Sequence, residues 1–322
     1  MLKREKKGSK RAGLRSGNGP RQRKLTRRQK KAKAKSEIKS RKPLLGSFRL
    51  SWLTLKTIRR YWKPLGGIVL AYLILNIILA SGISSLSATV SDIKFNLNEA
   101  DSNNLSPIAT AIDGFGSLVG SAGTNSSSTG SALQSILIVV ESLVIIWALR
   151  HLLAGQKIRV KQAYYNSTAQ LIPFLLVVAV IFIQLLPVVL GAPIARAILT
   201  SAFPNGGGGA VTLMVLMSAV LIGWSLYMLS SSIVALYIVT LPDMHPRRAL
   251  RSAKDLVRFR RFSIMRRLIF LPIFVLLAMA TVVIPLILSA TFLVAPVFFG
   301  LSMLSLLFAN TYLYSLYREL IS

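Results

Sequence analysis

The chain has 322 residues, of which 53% are hydrophobic, and it carries a formal net charge of +30 from 40 Lys and Arg against 10 Asp and Glu. These two properties seldom occur in one soluble domain. Here they separate along the sequence, because 24 of the basic residues precede Pro64 and the long apolar stretches follow it. The absence of cysteine excludes disulfides, thiolate metal sites, a Cys nucleophile and a palmitoyl anchor.

Residues 1–44 form a basic segment that we predict to be a disordered cytoplasmic tail. Residues 1–42 contain 19 basic side chains, no aromatic side chain, and only Glu5 and Glu37 as acids, so they cannot bury enough apolar surface to fold. The expected partner is a polyanion, either the anionic inner leaflet or nucleic acid such as ribosomal RNA, bound without sequence specificity. The segment has neither the apolar run of a secretory signal nor the amphipathic stripe of a mitochondrial presequence, which favours a bacterial inner (plasma) membrane.

Residues 48–63 predict an amphipathic helix on the membrane surface. The apolar residues recur at spacings of three and four, and the cations point elsewhere, which is typical of a helix lying at the lipid headgroups. The apolar stripe consists of Phe48, Trp52, Leu55, Ile58 and Trp62. The candidates for lipid contact in this segment are Arg49, Trp52, Lys56, Arg60, Trp62 and Lys63.

Six stretches are apolar enough over about 20 residues to cross the hydrocarbon core of a bilayer. We therefore predict an all-α membrane domain over residues 45–322, with spans at about 65–83, 133–153, 171–193, 211–240, 268–288 and 293–315. Residues 84–132 form an outer loop, in which the spacing of Ile108, Ile112, Phe115 and Val119 predicts a short helix. The link near Ser289–Thr291 predicts a tight hairpin between the last two spans.

The distribution of charge predicts that both termini are cytoplasmic. The loop after the second span holds Lys157, Arg159 and Lys161 without an acid, and the loop after the fourth span is strongly basic. The opposite loops, 84–132 and 194–210, hold only one basic residue each. Lys and Arg are retained on the cytoplasmic side of membrane proteins. Further lipid-interface candidates come from the basic loop after the fourth span: Arg258, Arg260, Arg261, Arg266 and Arg267.

The segments that enter the odd-numbered spans resemble one another. Ser51–Leu55 aligns with Ser252–Leu256, and residues 160–167 form a looser third copy. The chain is thus predicted to contain three units, each a basic amphipathic helix followed by a two-helix hairpin.

Glu141 is the acidic residue that lies within a predicted span, where a carboxylate is costly and is a functional candidate. It could pair with Arg196, or be protonated and hydrogen-bond to Ser142, Gln184 or Tyr227. It could also line a proton or solute path, or lie at a solvated position. Asn76 and Gln184 are further intramembrane polar candidates, suited to hydrogen bonds between helices.

No catalytic motif stands out. His151 and His245 lie far apart without metal-ligand spacing, and residues 114–120 miss the dinucleotide-binding pattern. We expect no metal, no cofactor and no enzymatic activity.

One segment carries a family resemblance: a membrane helix ends at Leu241-Pro242, and Ala249-Leu250, Ser252-Ala253, Leu256-Val257, a basic cluster and another hairpin follow. This pattern resembles the six-helix bacterial proteins related to the membrane domain of glycerophosphodiester phosphodiesterases. The resemblance covers roughly residues 45–318. In that family, catalysis belongs to a separate soluble barrel domain, so the resemblance implies a membrane module without catalytic residues.

Three functions follow as hypotheses. The first is a non-enzymatic integral membrane protein that engages anionic lipid through its basic tail and interfacial helices. The second is a transporter that uses Glu141, and the third is a membrane assembly or insertion factor whose tail binds the ribosome. The sequence leaves the oligomeric state open.

Overall fold

The computed structural model describes residues 45–80, 87–95, 107–121, 128–202, 208–241, 244–258 and 260–321. These residues are almost entirely helical, and no β-strand occurs among them. The predicted basic tail, residues 1–44, lies outside the described residues, as do parts of the outer loop 84–132.

Eleven helices are described. In chain order they are α1 (Ser47–Arg60), α2 (Trp62–Ala80), α3 (87–95), α4 (Pro107–Ser121), α5 (Ser128–Leu153), α6 (Val160–Ser167), α7 (Leu171–Ala202), α8 (Gly208–Val239), α9 (Pro246–Val257), α10 (Arg261–Ser289) and α11 (Val294–Ile321). Short 3-10 turns, Thr168–Gln170 and Thr291–Leu293, precede α7 and α11.

Six helical segments are long and apolar enough to cross a membrane, which confirms the predicted all-α, six-span class. They comprise α2, α5, α6 with α7, α8, α10 and α11. The predicted hairpin near residues 289–291 is present, since Ala290 separates α10 from the turn that leads into α11. A short helix stands in the outer loop where the apolar spacing predicts one, at α4.

The two longest helices of the described chain are α7 and α8. Both α7 and α8 have 32 residues, so each is about 48 Å long at 1.5 Å per residue, against about 30 Å of hydrocarbon. Pro187 and Pro193 lie inside α7. α7 continues as a helix past the predicted end of the span at residue 193, and a membrane helix tolerates proline where its neighbours satisfy the freed backbone groups.

The core of the bundle is formed around α5 and α11. α5 contacts α2, α6, α7 and α11, while α11 contacts α1, α2, α5, α8 and α10. The buried share of the spanning stretch is 44% in α5 but only 6% in α8. α7 and α8 pack mainly against each other and against α9, so this hairpin leaves most of its apolar surface exposed.

Short helices α1, α6 and α9 lie directly before α2, α7 and α10, where the sequence predicts amphipathic helices. α9 begins at Pro246, and proline is favoured in the first turn of a helix. Arg150, at the end of α5, donates hydrogen bonds to the carbonyl oxygens of Tyr237 and Thr240 at the end of α8. We call the end of the bundle that carries α1, the α5–α6 loop and α9 the basic end. The threefold repeat and the cytoplasmic orientation stay predictions.

Candidate functional site

α1 has one face on the bundle and one exposed face. Leu50, Thr54 and Ile58 are buried, and α1 packs against α11. Thr54 satisfies its hydroxyl within the helix, by donating to the Leu50 carbonyl oxygen at 2.9 Å. This face is made of small and aliphatic groups, which allow close packing.

The opposite surface of α1 and the start of α2 combine aromatic rings with cations. Phe48 is 72% exposed and Trp52 is 67% exposed. Ile58, which the sequence assigns to this stripe, is instead buried against the bundle, because the stripe spans more than one face of the helix. The predicted lipid-contact residues that the structure places at the exposed surface are Arg49, Trp52, Lys56, Arg60, Trp62 and Lys63.

The sequence predicts Arg267 at the lipid interface, and this prediction is wrong. Only 1% of its surface is exposed, because α10 directs it into the bundle. Its Nη1 lies 3.6 Å from Glu319 Oε2, and its Nη2 donates to the carbonyl oxygen of Leu45. The amide of Leu45 in turn donates to Glu319 Oε1. We call these three residues the Leu45 clamp. They join the chain before α1 to the beginning of α10 and to the end of α11.

The remaining predicted cations of this region lie at or near the surface. Arg258 and Arg266 are exposed, whereas Arg260 and Arg261 are half-buried. The Arg261 guanidinium lies 4.6 Å from the centroid of the Tyr227 ring, a cation–π distance. Arg261 therefore connects α10 to α8 as well as carrying charge.

In the described part of the structure, two of the cavities at the basic end are lined by several cations. One of about 480 Å³ lies between α1 and the end of α11, and its lining includes Lys56, Arg318 and Glu319. The other, of about 690 Å³, lies between the start of α2 and the α5–α6 loop. Both cavities share Arg60 and Tyr61 in their walls, so the two line a continuous stretch of the α1–α2 junction.

Glu141 is buried, with 1% of its surface exposed, and its hydrogen-bond partner is Tyr164 of α6. The Tyr164 hydroxyl donates to Glu141 Oε2 at 2.7 Å and lies 3.3 Å from the carbonyl oxygen of Ile68 in α2. Glu141 Oε1 has no hydrogen-bond partner among the described residues. Glu141 thus connects α5 to α6 directly and to α2 through Tyr164, and one oxygen of its carboxyl group makes no hydrogen bond to a described residue.

Glu141 makes no hydrogen bond to Ser142, Gln184 or Tyr227 in the described part of the structure. Ser142 accepts a hydrogen bond from Asn310 at 3.4 Å, and Tyr227 stacks with Arg261. The backbone carbonyl oxygen of Gln184 accepts from Ser225 at 2.7 Å, and its side-chain Oε1 has no hydrogen-bond partner among the described residues. Arg196 belongs to α7, but its side chain lies outside the described part of the structure, so its pairing with Glu141 stays a prediction.

Asn76 is fully buried in α2, and its Nδ2 lies 3.5 Å from the Tyr72 hydroxyl one turn earlier. Its Oδ1 finds no partner in the described ranges. Asn76 therefore makes a bond within its own helix, whereas the sequence predicts one between helices. Within the same ranges no three His, Asp or Glu side chains cluster as metal ligands.

Neither a family model, nor a curated protein, nor a solved structure matches the chain. The resemblance to the membrane domain of glycerophosphodiester phosphodiesterases therefore stays a prediction. The function of this six-span protein has to be argued from its own residues.

Proposed function

We propose that this integral membrane protein binds anionic lipid at its basic end and catalyses no reaction. The proposal rests on the two faces of α1. One face packs against α11, and the other exposes aromatic rings beside cations. Tryptophan favours the headgroup region of a bilayer, and cations beside it face anionic headgroups. The tail, residues 1–42, belongs to the same proposal by its composition.

The exposed cations make the expected lipid selectivity measurable. Each Lys or Arg near an anionic surface contributes about 1 kcal/mol, and the attraction falls off within a Debye length. α1 and the start of α2 carry five exposed cations, namely Arg49, Lys56, Arg59, Arg60 and Lys63. Their combined attraction should enrich anionic over zwitterionic lipid next to α1, and added salt should weaken it.

Quenching of tryptophan fluorescence by brominated lipid tests the proposal. In the Trp147→Phe/Trp224→Phe protein, the remaining tryptophans are Trp52 and Trp62 at the α1–α2 junction. In phosphatidylcholine nanodiscs, we expect a small fraction of brominated phosphatidylglycerol to quench more than the same fraction of brominated phosphatidylcholine.

The matched variant Arg49→Gln/Lys56→Gln should reduce this difference, and so should high salt. Equal quenching by the two brominated lipids at low salt would refute the proposal, because anionic lipid would then have no advantage beside α1.

The unpartnered oxygen of Glu141 favours a second candidate, transport of a proton or a small solute. A buried carboxyl with a free acceptor can take up a proton or a cation, and such groups mark transport paths in membrane proteins. Glu141 lines neither cavity of the basic end. In reconstituted vesicles a pH-sensitive dye would report proton flux, and unchanged flux in Glu141→Gln would remove this candidate.

A further inference from the structure

We infer that the 690 Å³ cavity between the start of α2 and the α5–α6 loop is a binding site for the phosphate headgroup of one anionic lipid molecule. The inference rests on the proposed function and names the place and stoichiometry of binding. General enrichment of anionic lipid requires only an exposed cationic surface. A single site requires a concave, preformed and uncompensated cluster of cations, and the cavity has these three properties.

The walls come from two separate parts of the chain. Arg60, Tyr61, Lys63 and Pro64 lie at the junction of α1 and α2, and residues 155–160 face them across the cavity. A volume of about 690 Å³ is in the range of small-molecule sites. The site therefore depends on tertiary packing, because residues that are far apart in sequence supply its two sides.

The α5–α6 loop is held in a defined conformation at both ends. Gly155 has φ +82, and the amides of Gly155 and Gln156 donate to the carbonyl oxygens of Leu152 and His151. This pair of bonds is a Schellman motif, which ends α5 and turns the chain. After the loop, Val160 packs closely on Gly67 of α2. The cavity is thus shaped before a ligand arrives.

The cavity carries positive charge without local compensation. Arg60, Lys63, Lys157 and Arg159 line it and are exposed, and none of the eleven residues that line it is acidic. The neighbouring cavity of 480 Å³ differs, since Glu319 stands among its cations. Cations concentrated in a concave site focus the field on an anion and form charge-assisted hydrogen bonds with phosphate oxygens.

The position of the cavity favours a lipid over a free phosphate. Pro64 and Leu152 in its wall belong to α2 and α5, the helices of the first two spans, so the cavity lies where spanning helices reach the headgroup region. A phosphate held there remains connected to acyl chains along the apolar surfaces of α2. We therefore commit to a lipid as the occupant.

Two variants with equal loss of charge test the inference. Lys63→Gln/Lys157→Gln/Arg159→Gln removes three cations of the cavity, and Arg247→Gln/Arg248→Gln/Arg251→Gln removes three exposed cations of α9. Native mass spectrometry counts the lipids bound per chain during titration with short-chain phosphatidylglycerol below its micelle concentration. Short-chain phosphatidylcholine and inorganic phosphate are the comparison ligands, and a thermal melt shows that each variant is folded.

We expect one phosphatidylglycerol to bind tightly and saturably to the wild type and to the α9 variant. The cavity variant should bind it on the order of 100-fold more weakly, from three contributions of about 1 kcal/mol each. Equal weakening in both variants, or equal affinity for phosphatidylcholine, would overturn the inference. Competition by inorganic phosphate at the affinity of the lipid would overturn the lipid assignment.

The failure of this inference is distinguishable from the failure of the proposed function. If the cavity variant binds phosphatidylglycerol as the wild type does while Trp52 and Trp62 still report anionic enrichment, only the single site is refuted. If Trp52 and Trp62 report no anionic enrichment even in the protein that keeps all its cations, the proposed function is refuted as well.

Discussion

Arg267 and Glu319 hold Leu45, the first described residue of the chain, at the basic end of the bundle. The guanidinium is desolvated, and the side chain of Glu319 is 14% exposed. Taking a cation out of water is costly, and the pair is stable only while the countercharge and the Leu45 carbonyl oxygen compensate for that cost. The Leu45 clamp therefore fixes the start of α1, on which the proposed lipid-binding surface depends.

We expect Glu319→Gln to lower the free energy of unfolding by about 3 kcal/mol, since it leaves a buried guanidinium without its countercharge. A thermal melt in detergent, followed by tryptophan fluorescence, measures the change. Arg266→Gln is the matched control. Arg266 is next to Arg267 in sequence but is exposed, so this substitution should leave the melting temperature unchanged. A melting temperature in Glu319→Gln equal to that of the wild type would show that the clamp contributes nothing.

The sequence predicts which polar residues are unusual but not what they contact. Glu141 stands out because a carboxyl within an apolar stretch is rare, and the structure finds it buried. Its partner Tyr164 belongs to a short helix that the sequence predicts only as an amphipathic segment. The sequence places Arg267 at the lipid surface because a run of cations is typical of a solvated segment, and Glu319 lies on another helix. Pairings of this kind depend on tertiary packing, which a single sequence does not contain.

At the scale of the elements, α6 is held against α2 by a close contact. A Cβ atom added at Gly67 would lie 2.8 Å from Val160 Cγ2, nearer than van der Waals contact allows. A Cβ added at Gly66 would meet the Trp62 ring at 3.6 Å, an ordinary contact distance. The two neighbouring glycines of α2 thus differ in whether a larger side chain fits. Only at Gly67 does the absence of a side chain allow α6 to approach α2.

We therefore expect Gly67→Ala to lower the melting temperature relative to Gly66→Ala, because both substitutions gain the same helix propensity and only the first displaces α6. Val160→Ala combined with Gly67→Ala should restore the melting temperature by removing the obstructing methyl groups. Equal melting temperatures for the two alanine variants would contradict the close packing of α6 on α2.

The elements themselves could be predicted to different extents. The six spans follow from apolar length, and α1 and α9 follow from amphipathic spacing. The helix over residues 87–95 does not follow from the sequence, since this segment is polar and carries no apolar run. The ends of α7 cannot be predicted from hydropathy either. An apolar stretch indicates only the part of the helix that crosses the hydrocarbon core, and the backbone hydrogen bonds of α7 continue beyond it.

For the whole molecule, the distribution of charge predicts that the basic end faces the cytoplasm. The chain has no cysteine, so single cysteines report topology without background. In intact cells that produce the protein, a membrane-impermeant thiol reagent should label Ser117→Cys in α4 and not Gln156→Cys in the α5–α6 loop. Permeabilisation should make Gln156→Cys reactive. Labelling of Gln156→Cys in intact cells would reverse the orientation and place the basic end outside.

If the basic end of this six-span protein holds anionic lipid, that lipid should stay with the protein when it leaves the membrane. The most direct measurement is to extract the full-length protein from its membrane with a polymer that retains neighbouring lipids, and to determine the lipid composition by mass spectrometry. We predict that the retained lipids are enriched in anionic species over the bulk membrane, and that the enrichment falls when Arg49, Lys56, Arg60 and Lys63 are replaced by Gln. A retained composition equal to that of the bulk membrane would show that the basic end has no preference for anionic lipid.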